Sequence, residues 1–137
     1  MKVLIDTSIW SIAFIRKTNS LSSEDKLILD KLIELINEVR VVMIGPIRQE
    51  ILSGIADEKQ FQLLKEKLSA FVDLPITTED YELAAEFFNL CRNKGIQGSH
   101  IDFLIFAVAY QNQLSILTAD KDFEKYSQYI KIDLYNP

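Results

Sequence analysis

Two short apolar runs, more than a hundred residues apart, constrain this fold more than anything else in the chain. "KVLID" occupies residues 2–6, and a second run at 114–117 leads into "TADKDF". Both suit buried strands, and both end in hydroxyls and aspartates. Three further segments have strand character: 41–44 ("VVMI"), 130–134 ("IKIDL") and, more weakly, 72–76. Such short Val- and Ile-rich runs are what parallel strands covered on both faces look like. The intervals between them carry helical patterns. Ser22 or Ser23 can cap a helix through Arg40, with Leu27, Leu29, Leu32, Ile33, Leu35 and Ile36 as its apolar face. Pro46 suits the first turn of 46–55, and residues 58–71 read as another helix. Thr78 can cap 79–93, which Gly95 stops; Ser99 can cap 100–112; a short helix, 121–128, follows. Strands alternating with helices predict an α/β domain, a parallel sheet of four to five strands with helices on both faces.

The chain has 137 residues, a size that suits one domain over 1–137. Apolar residues make up 48%, enough for a packed core. The longest apolar run, "FLIFAVAY", is too short to span a bilayer, and Asp6 interrupts any signal-peptide core. A single cysteine, Cys91, excludes an internal disulfide and a thiolate metal cage. A soluble, cytoplasmic protein is expected. The net charge of −5 argues against clamping nucleic acid by bulk charge, though bound cations can reverse that locally.

The acids fall where a parallel sheet builds its sites. Ligands bind beyond the carboxyl ends of the strands, where the strand order reverses. If the first strand and the one ending before Thr118 are neighbours there, Asp6 and Asp120 face one crevice. The plainer alternatives are an N-cap role for Asp6 in "DTSIW" and cap or turn roles for Asp120 and Asp122. Asp102 heads a stripe with Ile105, Phe106 and Ala109 on a helix that is apolar almost all round; a capping box with Ser99 explains it equally. Glu50, in "GPIRQEILSGI", lies about 60° round the helix from Ile47 and so borders the apolar stripe, or is a plain surface glutamate. Carboxylates gathered in one crevice repel by roughly 4 kcal/mol per pair at 4 Å and an effective dielectric of 20. They must be protonated or carry cations. Hard oxygen donors without a cysteine or a histidine pair favour Mg²⁺ or Mn²⁺ over zinc.

Four segments together, "LIDTSIW", "PIRQEILSG", "HIDFLIFAVA" and "LTADKDF", resemble the PIN-domain nucleases, and among them the VapC-type toxins of toxin–antitoxin pairs. Their order and spacing cover nearly the whole chain. The resemblance implies a PIN fold with Asp6, Glu50, Asp102 and Asp120 as the acidic site. Of these, Asp6, Asp102 and Asp120 would hold metal. Thr118 matches the hydroxyl position before the last acid, and Asp122 an often-present fifth acid. It further implies dependence on Mg²⁺ or Mn²⁺, cleavage of RNA phosphodiester bonds by a metal-activated water, a homodimer, and an antitoxin that blocks the site. One departure is Phe106, where the family is usually small at 106 or 107; Ala107 fits.

The remaining candidates read as structural. His100, the only histidine, projects about 160° from Asp102 on its helix. Trp10, Phe14 and Ile15 suit packing against the sheet or a dimer mate. Arg16, Lys17, Arg48, Arg92, Lys94, Lys121 and Lys125 can line a path for RNA phosphates or serve as solvated surface. The functional rival is a catalytically silent PIN-like module that only binds RNA or protein.

Overall fold

A computed structural model describes residues 1–135; the predicted domain runs two residues further, outside the described ones. Its centre is a parallel sheet of three strands, β1 (Val3–Ile5), β2 (Val41–Val42) and β3 (Ser115–Leu117), in the order β2-β1-β3. β1 is wholly buried, as its unbroken apolar composition requires. Each such side chain contributes about 1.5–3 kcal/mol by leaving water. The chain leaves β1, forms β2 on one side and returns as β3 on the other. The order therefore reverses at the carboxyl ends of β1 and β3.

The two outer strands expected at 72–76 and 130–134 shrink to single parallel bridges, Met43 with Asp73 and Ile116 with Leu134. In the first, Pro75 has no N–H to continue a ladder. In the second, the amide of Ile132 turns back onto the carbonyl of Ile130 at 2.8 Å, so only 133–135 runs beside β3.

Seven α-helices flank the sheet among the described residues: α1 (Thr7–Phe14), α2 (Ser23–Asn37), α3 (Gly45–Ser53), α4 (Glu58–Leu68), α5 (Thr78–Asn93), α6 (His100–Asn112) and α7 (Asp122–Tyr126). A capping box of Ser22 and Asp25 starts α2. It stops at Asn37, before Arg40, because the chain turns left-handed at Val39 (φ 56°) and the Arg40 amide closes back on Leu35. Its inward face is Ile28, Leu32 and Leu35; Leu27 and Ile33, expected inside, are 65% and 48% exposed. Thr77, one residue before the expected Thr78, caps α5 through a capping box with Asp80. The helix α6 is buried from Phe103 to Ala109, and Phe106 packs on Phe123 and Tyr126.

Arg48, a candidate for the RNA path, is instead a staple. Its guanidinium donates to Asp73 at 2.8 and 3.0 Å, to the Leu68 carbonyl at 2.8 Å and to the Phe71 carbonyl, tying α3 to the chain after α4. Arg16 pairs with Asp25 and Lys125 with Asp122. Trp10 is buried, donates to the Ile5 carbonyl and stacks against Phe14. His100 is exposed and stacks on Phe88 at 4.9 Å.

Candidate active site

At the point of strand reversal the backbone joins first. The Asp6 amide donates to the Leu117 carbonyl at 3.0 Å, carrying the β1–β3 pairing to its last position. Asp6 then caps α1, its carboxylate accepting from the Ser8 amide at 3.4 Å. The cap role is real, but it is not the whole of what Asp6 does. Its Oδ2 also accepts from the Ser8 hydroxyl at 2.7 Å and from the Thr118 hydroxyl at 2.8 Å. Both hydroxyls in turn accept backbone amides of the loop after β3: Ala119 to Ser8 and Asp120 to Thr118, each at 3.0 Å. The loop carrying Asp120 is thereby latched to the carboxylate at the end of β1. Asp120 itself accepts from the Asp122 amide at 2.9 Å, the turn role its sequence context allowed.

Asp102 enters from α6. The Ser99 hydroxyl accepts its amide at 3.1 Å, capping the helix. Its carboxylate Oδ2 accepts the hydroxyl of Tyr126 at 2.9 Å. Asp6 is buried and Asp102 half-buried. Desolvation pushes both carboxyls above their ordinary range. For Asp6 the hydrogen bonds from Ser8 and Thr118 oppose this, and for Asp102 that from Tyr126 does. The charge of Asp6 adds a smaller upward push on Asp102. Among the described residues neither has a basic partner; nor do Glu50 and Asp120.

The structure thus joins Asp6, Thr118, Asp120 and Asp122 through hydrogen bonds, while Asp102 is bonded to Tyr126 and Ser99 instead. Glu50 is exposed on α3 and makes no side-chain hydrogen bond among the described residues. Tyr126 was not anticipated as part of the site. Its one sequence signal is a phenol that shares the apolar i, i+3 face of α7 with Phe123.

The donor set fits a hard divalent cation: desolvated carboxylates, aligned hydroxyls, no thiolate and no histidine. Among the described residues no three acidic, histidine or cysteine side chains stand close enough to form a closed cage. Mg²⁺ does not need one, since it keeps several waters and takes one or two carboxylates together with substrate phosphates.

The family model of the PIN domain matches residues 3–129. This chain is a PIN domain. It is similar to the VapC ribonuclease Mb1587 of Mycobacterium bovis and to ribonuclease VapC11 of Mycobacterium tuberculosis, 30% identical to each over 125 residues, 89% of either length. This PIN domain also shares its fold with the FitAcB structure from Neisseria gonorrhoeae (TM-score 0.76, 22% identity, 98% and 97% of the two chains). It shares it equally with VapBC2 from Rickettsia felis bound to promoter DNA (TM-score 0.74, 18% identity, 100% and 99%). The resemblance carried by the four sequence segments is therefore a family membership. No helix of the PIN domain among the described residues is long and apolar enough to cross a membrane.

Proposed function

We propose that this PIN domain is a Mg²⁺- or Mn²⁺-dependent endoribonuclease acting in the cytoplasm as the toxin of a toxin–antitoxin pair. The observation that carries the reading is the buried Asp6 carboxylate tied through Thr118 to the loop bearing Asp120, with no basic side chain paired to either acid among the described residues. Such a pair costs stability unless a cation joins it. The VapC relatives are named ribonucleases, which supplies the substrate class.

Of Asp6, Asp102 and Asp120, one or two would hold the ion at a time, with waters and substrate phosphate oxygens completing its shell. A bound divalent cation there supplies charge neutralisation for the scissile phosphate and lowers the pKa of a water. The chain's own residues do the rest. Ser8 and Thr118 fix Asp6 through Oδ2, and Thr118 also fixes the Asp120 backbone. Glu50, without a protein partner among the described residues, acts directly or through water, and Asp122 supports the outer shell. Water adds in line to phosphorus and the 3′ oxygen leaves as an alcohol, giving 5′-phosphate and 3′-hydroxyl ends. Neither His100 nor the RNA 2′-hydroxyl takes part.

An antitoxin has a place to dock. A groove of about 710 Å³ runs beside the site, lined by Leu27, Ile28, Lys31, Thr118, Asp120 and Lys121 among others. The exposed Leu27 suits an amphipathic segment. A basic side chain from that segment, entering between the carboxylates, would stand in for the metal. The relatives solved as VapBC complexes support such a partner, and a homodimer is part of the same reading.

The open arrangement of the acids favours the rival, a silent binding module. One experiment separates them: incubate purified protein with RNA and Mn²⁺, with and without chelator, and identify the ends. Cleavage that chelator abolishes, leaving 5′-phosphates, is expected. No cleavage, or 2′,3′-cyclic phosphate ends, would overturn the proposal.

A further inference from the structure

Tyr126 is 1% exposed, yet it carries a polar hydroxyl into an aromatic cluster with Phe103, Phe106 and Phe123. The ring alone would fill that space; phenylalanine would pack as well. What the hydroxyl adds is the 2.9 Å bond to Asp102 Oδ2. A second observation points the same way. Gly98 lies against the phenol: a Cβ built there would stand 2.7 Å from Tyr126 Cζ and closer still to the hydroxyl, and 2.9 Å from Phe103 Cε2. The backbone at Gly98 is not in the left-handed region, so torsion does not demand glycine. The Tyr126 phenol and, less closely, the Phe103 ring do.

We propose that Tyr126 is a positioning residue: seated against Gly98, its hydroxyl holds Asp102 Oδ2 so that Oδ1 is the oxygen presented to the divalent ion. The inference rests on the metal-dependent reading above. It parallels Asp6, whose bonds from Ser8 and Thr118 also fall on Oδ2. In each acid the Oδ2 oxygen is the one anchored by a neighbouring hydroxyl. Partners outside the ligand sphere orient metal-binding side chains, and losing one typically weakens metal binding ~10–100-fold. Tyr126 is suited to the part because it is rigid: its ring is locked by three others, and its only freedom is rotation of the O–H.

The test is Mn²⁺ titration of the full chain, by calorimetry or electron paramagnetic resonance, with cleavage kinetics alongside. Tyr126→Phe keeps the ring and removes the hydroxyl. It should bind Mn²⁺ ~10–100-fold more weakly and lose kcat at subsaturating metal. KM for RNA and the metal-free melting temperature should stay near wild type. Gly98→Ala retains the hydroxyl but displaces it, and should weaken Mn²⁺ binding in the same way. The two substitutions act through one bond, so their effects should not add in the double variant. Wild-type protein that binds no Mn²⁺ overturns the nuclease reading and this inference together. Wild-type binding matched by a folded Tyr126→Phe, or additive losses in the double variant, overturns the role of Tyr126 alone.

Discussion

The Thr118 hydroxyl donates to Asp6 Oδ2 at 2.8 Å and accepts the Asp120 amide at 3.0 Å, so one side chain serves both acids that follow the central strands. Removing it leaves a buried carboxylate short of a donor and an amide without an acceptor. Each such loss costs about 1–3 kcal/mol. Thr118→Val should therefore lower the unfolding free energy by a similar amount and reduce cleavage sharply, while Thr118→Ser restores both. Chemical denaturation and single-turnover cleavage give the two numbers; a valine variant as active as wild type would show that the latch is dispensable.

Asp6→Asn and Asp102→Asn should abolish cleavage without unfolding the protein. Each removes one member of a repelling pair, so the metal-free melting temperature should hold or rise. Mn²⁺ should raise the melting temperature of wild type by mass action and that of the variants much less. Equal shifts in all three proteins would put the ion elsewhere.

Acidity gives a third expectation. Both carboxyls are raised above 3.8, chiefly by burial. In metal-free protein the folded state then holds their protons more tightly than the unfolded chain. Their contribution to stability is present below the unfolded value and is lost as pH rises through the folded one. Wild type minus Asp6→Asn, measured in chelator across this acidic window, should show a stability difference that moves against wild type as pH rises. A flat difference would mean that Asp6 is not desolvated. Mn²⁺ affinity should run the other way, falling as protons compete for the same oxygens.

Arg48→Ala should destabilise the fold by about 2–4 kcal/mol, because it strands Asp73 and two carbonyls at once. Lysine cannot reproduce the fork and should rescue little. RNA affinity, measured well below the melting temperature, should not change. A selective loss of RNA binding would return Arg48 to the phosphate path.

What the sequence discloses here follows the range of the interaction. Asp6 and Asp120 were readable because strand ends and their following turns are local patterns, and the caps Ser22 and Ser99 are read within four residues. Thr77 was readable too: Asp80 lies three residues after it, the capping-box spacing, and the neighbouring Thr78 only obscured it. Tyr126 and Arg48 were not. Their meaning depends on partners 24 and 20–25 residues away that nothing local announces. The outer strands were overestimated for the same reason: composition suggests a strand, but the turn at Ile130–Ile132 decides how much of it can pair.

The pairing of β1 with β3 joins Val3 to Ser115 and Ile5 to Leu117, so the crevice is closed by the two ends of the chain. Synthesis runs from the first end to the second. Until Leu117 has left the ribosome, β1 has no β3 beside it, and Asp6 has no Thr118. A nascent chain or a truncated message product can hold Asp6, Glu50 and even Asp102, yet it lacks the last acid and the latch. If the nuclease reading holds, a product interrupted before Leu117 should cut no RNA, so the order of translation would itself delay the hazard until both halves of the crevice exist.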